Sequence, residues 1–122
     1  MNQELWEILV PSFSNGGEKF PLEHHKKWDA FVKKIAKGVT IMKTAKGEWV
    51  SPTGQVYMDR MIPCRIICNE SQMDKIIDFT IEHYDQEAVL AYKISDNVIL
   101  RHRNDKSINE DVQRLWNQRN YR

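Results

Sequence analysis

Apolar and polar positions first follow a two-residue period. Leu5-Trp6-Glu7-Ile8-Leu9-Val10 reads as a strand with Trp6, Ile8 and Val10 inward, stopped by Pro11. Ser12 to Gly17 is a polar, glycine-bearing loop. The period then becomes helical from Leu22 to Lys37. Trp28, Phe31, Val32, Ile35 and Ala36 recur at three-four spacing, five lysines occupy the other side, and Gly38 is placed to close the helix. Val39 to Met42 is β-prone. Glu48-Trp49-Val50 lies between turn signals at Lys46-Gly47 and Ser51-Pro52-Thr53-Gly54. A longer strand runs from Tyr57 or Met58 to Cys68, with Pro63 expected at an edge or bulge. Ser71 and Asp74 resemble a capping box for a second helix, whose apolar face is Met73, Ile76, Ile77, Ile81 and Tyr84. Ala88 to Ile94 is a nearly all-apolar strand, and Asp96-Asn97 turns it into Val98-Ile99-Leu100.

The order is βαββαβ. Two helices with one apolar stripe each predict an α+β, ferredoxin-like plait, a four-stranded antiparallel sheet with both helices on one face. It occupies residues 1–103. A tail over 104–122 follows, with a capping box from Ser107 to Glu110 and a weak stripe of Ile108, Val112, Leu115 and Trp116. This predicts a short helix packed on the body or on a neighbouring subunit. Between Ala88 and Ile94 both alternating sets of residues are apolar, so this strand should be buried on both sides. One chain lacks the elements for that, and a homo-oligomer with sites between subunits is expected.

A chain of 122 residues, 41% apolar and 29% charged, is one globular domain. Its net charge of +1 gives no electrostatic reason to expect nucleic acid, and the lysine stripe has no interleaved aromatics for stacking bases. No apolar run reaches membrane-spanning length and no signal peptide opens the chain, so a cytoplasmic protein without membrane partners is expected. Cys64 and Cys68 would lie roughly 13 Å apart on a strand, too far for a disulfide, and read as core-facing free thiols.

Several polar groups are candidates for chemistry. Asp85 and Glu87 flank Gln86 where the second helix meets a strand, and acids are poor company for a helix C-terminus. Tyr57, Asp59 and Arg60 open the long strand, either as a site or as an exposed entry with a local ion pair. The Ser12–Gly17 loop could offer hydroxyls and N–H groups to a carboxylate or phosphate, though it matches neither glycine-rich fingerprint. His24-His25 reads as a proton-donor pair or as the first turn of a helix. With no Ser/His/Asp set, nucleophile elbow or metal cluster, an enzyme of this sequence would work without a metal or other cofactor and without a covalent intermediate.

Collinear segments over residues 5 to 100 resemble the phage S-adenosylmethionine (SAM) lyases, long called SAM hydrolases. These are Ile8-Leu9-Val10-Pro11-Ser12-Phe13-Ser14-Asn15, Lys37-Gly38-Val39-Thr40, Gly54-Gln55-Val56-Tyr57-Met58-Asp59, Arg65-Ile66-Ile67-Cys68 and Asp85 to Lys93. Residues from Gly38 to Leu100 are also similar to a family of small bacterial proteins with no assigned activity, through Gly47-Glu48-Trp49 and the Gln86-Glu87-Ala88-Val89-Leu90 strand start. The lyase resemblance implies a trimer with interfacial sites and an intramolecular reaction. The substrate's carboxylate attacks its own γ-carbon, releasing 5′-methylthioadenosine and homoserine lactone. It implies that Glu87 and Asp59 hold the α-ammonium, that Tyr57 positions the substrate, and that Ser12, Ser14, Asn15 and Gln86 contribute to binding. The family has glutamate where this chain has Asp59, and Glu48 is a stand-in. Asp85 is expected at the surface. A non-catalytic module binding a small ligand or a protein is the alternative.

Overall fold

A computed structural model describes residues 3–103 and 110–120. The elements are β1 (Glu4–Pro11), α1 (Leu22–Ala36), β2 (Thr40–Ile41), β3 (Ala45–Val50), β4 (Val56–Cys68), α2 (Glu70–His83), β5 (Ala91–Ser95) and α3 (Glu110–Asn120). The sheet is antiparallel with order β2-β4-β1-β5, and β3 also pairs with β4. This is the ferredoxin-like plait, with the second strand position shared by β2 and β3.

Pro63 explains that division. The Met42 N–H donates to the Pro63 carbonyl at 2.9 Å, so Pro63 turns its main chain toward the β2–β3 edge and has no N–H to offer there. The register slips by one residue between Ile41↔Cys64 and Ala45↔Met61. The expected bulge at Pro63 is present.

Both helices cover one sheet face. Ile8, Val10, Cys64, Ile66 and Cys68 of the sheet pack against Trp28, Val32, Met73, Ile76 and Tyr84. Trp6, expected inward, is half-buried at the margin of this core. The two thiols are free, and burial pushes Cys64 up to about 12 and Cys68 up to about 11. Inside the core, the Trp28 Nε1–H donates to Thr80 Oγ1 at 2.8 Å and Thr80 Oγ1 donates to the Ile76 carbonyl at 2.6 Å. Beyond it, Phe20, His24, His83, Phe79 and Phe31 form a near-parallel column of rings joining α1 to α2. His24 and His83 stack at 3.8 Å, and each donates Nε2–H to the other's carbonyl, at 2.6 and 2.7 Å. His24-His25 thus lies in the first turn of α1, bound into the helix pair.

Several boundaries differ from those expected. Lys37, at φ 71°, takes the left-handed position closing α1, one residue before Gly38. The capping box of α2 is Asn69 with Gln72, two residues before the Ser71–Asp74 pair; both reciprocal bonds are made, at 2.8 and 2.9 Å. Lys46-Gly47 lies inside β3 rather than in a turn. The last strand begins at Ala91, although Leu90 already accepts a bond from the Leu9 N–H, and Val98–Leu100 forms no strand. The tail helix is present as α3. Its Val112, Leu115 and Trp116 are exposed and do not pack on the body. Ile108 and the expected cap at Ser107 lie outside the described residues. No helix of the described residues is long and apolar enough to cross a membrane.

The sheet face away from the helices carries Glu7, Arg65 and Tyr92 in register across β1, β4 and β5. Glu7 is only 7% exposed. Arg65 Nε donates to Glu7 Oε1 at 3.0 Å and the Tyr92 hydroxyl to Glu7 Oε2. The Tyr92 bond foremost holds the Glu7 carboxyl below its usual range against the effect of burial, and Arg65 adds to it. On the single chain Tyr92 and Ile94 remain exposed on this face.

Candidate functional site

A cleft arises from unequal strand lengths. β1 pairs with β4 as far as Pro11↔Met61, and the Ser12 N–H then donates to the Arg60 carbonyl at 3.0 Å. Beyond that point Val56–Arg60 pairs with β3 alone. Because Arg60 directs its carbonyl toward β1, alternation turns the main-chain groups of Met58 the same way, into the gap. The opposite wall is the chain between α2 and β5. The cleft encloses about 860 Å³, within the range of small-molecule sites. Leu9, Pro11, Met58, Met61, Val89 and Leu90 supply apolar lining, while Ser14, Asn15, Asp59, Arg60, Lys46 and Gln86 supply polar groups.

The α2–β5 junction is built without glycine. Gln86 N–H bonds to the Ile81 carbonyl at 3.0 Å and Asp85 N–H to Glu82 at 3.3 Å, a Schellman turn with Asp85 at φ 51° in the left-handed position. Asp tolerates that conformation better than most residues. The turn presents the Asp85 carbonyl to Asn15 Nδ2 at 2.8 Å, tying the loop after β1 to this wall. The loop curls on itself. Ser14 N–H bonds to Glu18, Gly17 N–H to Ser14, and Ser14 Oγ accepts from the Glu18 N–H. The amides of Asn15 and Gly16 have no partner among the described residues.

Of the residues expected at a site, Ser14, Asn15, Tyr57, Asp59 and Gln86 line this one cleft. Asp59 makes no ion pair among the described residues. Adjacent strand residues face opposite sides of the sheet, so the local pair with Arg60 does not form. The Tyr57 hydroxyl donates to Gln55 at 3.1 Å. The Gln86 side-chain amide donates to the Tyr84 carbonyl at 2.9 Å. Three other residues lie elsewhere. Ser12 is 6% exposed and its Oγ has no bond among the described residues, but it is not among the cleft-lining side chains. Glu48 pairs with Lys46 at 3.7 Å and does not line the cleft. Glu87 is exposed, one residue past the lining residue Gln86, and Asp85 is exposed as expected.

Arg60, named with Tyr57 and Asp59 at the strand entry, does line the cleft, whereas sequence reasoning missed Phe13, Lys46 and Trp49 as lining residues. The signal for Lys46 and Trp49 lay in the β3–β4 register, which pairs Trp49 with Tyr57 and Lys46 with Arg60. Reading Lys46-Gly47 as a turn hid it. Gly47 also makes room, since a Cβ there would come within 2.5 Å of the Met61 terminal methyl and 3.5 Å of the Trp49 indole nitrogen. Among the described residues no three His, Cys, Asp or Glu side chains are grouped to hold a metal ion.

No protein-family model matches this chain, and no curated protein matches it significantly. Solved structures do. A CutA1 from Oryza sativa aligns with TM-score 0.60 and 15% identity over 82% of this chain and 84% of its own. A periplasmic divalent cation tolerance protein CutA from Archaeoglobus fulgidus gives 0.59 and 14%, over 81% and 88%. A phage SAM lyase in complex with S-methyl-5′-thioadenosine gives 0.60 and 13%, over 82% and 86%. At these identities the likeness is one of fold, and the chain shares the plait of both groups.

Proposed function

We propose that this chain is a SAM lyase, converting SAM to 5′-methylthioadenosine and homoserine lactone. The observation that carries the reading is the convergence of Ser14, Asn15, Tyr57, Asp59 and Gln86 in one cleft. These residues come from separate segments that resemble the lyases. A phage SAM lyase of the same fold, in complex with S-methyl-5′-thioadenosine, adds support.

The proposed reaction asks little of the protein. The carboxylate oxygen forms a bond to the γ-carbon while the γ-carbon–sulfur bond breaks, and its electron pair neutralises the sulfonium. No proton is transferred and no water enters. Positive charge on sulfur is lost in the transition state, so an apolar wall of Met58, Met61, Val89 and Leu90 favours the reaction over bulk water. Folding the methionine moiety into attack geometry removes much of the remaining barrier. Asp59 is assigned to the α-ammonium, and the aromatic side chains of the cross-strand partners Trp49 and Tyr57 to the adenine and sulfonium. Asn15 and Gln86 face the ribose. Glu87 is assigned to the rim, where a second subunit completes it.

Exposed Tyr92 and Ile94 on the helix-free sheet face support association, as do Trp49, Val50, Val56 and Met58 on the β3–β4 arm. We assign a homo-oligomer, a trimer by the lyase resemblance, acting in the cytoplasm. In a phage the activity would blunt host methylation-dependent restriction. Incubation with SAM, followed by chromatography for methylthioadenosine, tests the reading. Asp59→Asn and Glu87→Gln should each remove most turnover. Saturable SAM binding without product would instead support a non-catalytic small-ligand module.

A further inference from the structure

Lys46 and Arg60 are direct cross-strand partners in the β3–β4 hairpin, so two cations stand side by side on one face. Like charges in that position oppose each other and weaken a hairpin. Both line the cleft, where Asp59 is the only acidic lining residue among the described residues. Lys46 is partly neutralised by Glu48 at 3.7 Å. Arg60 has no ion-pair partner among the described residues. Its main-chain carbonyl is held by the 3.0 Å bond from the Ser12 N–H. An unneutralised, anchored arginine beside a second cation is arranged for an anion that arrives with the ligand.

Resting on the lyase reading above, we propose that Arg60, with Lys46 beside it, is the positioning residue for the substrate carboxylate. Arg60 stays charged and offers several N–H donors, so it can hold the carboxylate through a single oxygen. Held through one oxygen, the carboxylate keeps its other oxygen free to attack the γ-carbon. Lys46–Arg60 and Trp49–Tyr57 are three residues apart along the hairpin, about 10 Å at ~3.3 Å per residue. They project from opposite faces of β4. The ligand therefore lies across the free edge of that strand, with its base among the rings and its amino-acid end toward the cations.

The test compares two ligands, SAM and methylthioadenosine, which lacks the carboxylate. Binding of each to the wild type, Arg60→Gln, Arg60→Lys and Lys46→Gln is measured by calorimetry, beside turnover and thermal melts. Arg60→Gln should weaken SAM binding about 10- to 100-fold, leave methylthioadenosine binding within about twofold, and melt no lower than wild type because a like-charge contact is removed. Arg60→Lys should recover part of the SAM affinity, and Lys46→Gln should lose less than Arg60→Gln. Equal weakening of both ligands, or a lower melting temperature with the same loss, would make Arg60 structural and overturn the assignment. So would unchanged SAM affinity in Arg60→Gln. A wild type that binds neither ligand would sink the lyase reading and this assignment with it. Binding of both with unchanged selectivity in Arg60→Gln would sink this assignment alone.

Discussion

Thr80 satisfies the buried Trp28 N–H and returns its own proton to Ile76. Thr80→Val keeps the shape but leaves the indole donor unpaired, and should cost about 1–3 kcal/mol in chemical denaturation. Other residues link stability to pH. Burial lowers the His25 pKa, opposed by Asp29, and the His24, His83 and Lys19 charges lower it further. The unfolded chain thus takes up this proton more readily than the native one, and stability falls as pH drops below about 6.5. Glu7 is also depressed, chiefly by Tyr92. Its contribution is complete above the ordinary glutamate value of about 4.3 and is lost as pH falls through its lower native value. Melting temperature against pH should therefore decline in two windows. His25→Gln should remove the upper decline, and Glu7→Gln should shrink the lower, to which Glu4, also depressed chiefly by its bond from Lys93, contributes.

Helix ends show where sequence patterns succeed and fail. The apolar stripes located α1 and α2 to within a few residues, because burial against the sheet sets them. The C-cap of α1 was misplaced by one residue, because Lys37 accepts left-handed backbone where Gly38 was expected, and the glycine-free end of α2 turns at Asp85 in the same conformation. Only tertiary context makes a residue with a Cβ hold that conformation. Asp85→Gly should relieve it, and also removes an acid from a helix C-terminus, raising stability by about 1 kcal/mol. A lower melting temperature in that variant would mean the Asp85 side chain supports the turn in another way. The strand division at Pro63 was legible as a bulge. The run of β3 through Gly47 was not, since glycine is a turn signal in sequence and here provides space for Met61 and Trp49.

At the scale of the molecule, the plait could be read from the alternation of two periods. Five candidate site residues from three segments also meet in one cleft. What the chain could not reveal was the register that adds Lys46 and Trp49, or that Glu87 stands outside the lining of the single chain. The uncovered sheet face and the apolar arm predict a mass in light scattering that is a multiple of one chain; a mass equal to one chain would remove the subunit assigned to complete the rim beside Glu87. The central claim is the chemistry of the cleft, and turnover of SAM tests it most directly. Folded wild-type protein incubated with SAM should yield methylthioadenosine and homoserine lactone in equal amounts, with Asp59→Asn nearly inactive. No methylthioadenosine above the spontaneous background would contradict the account.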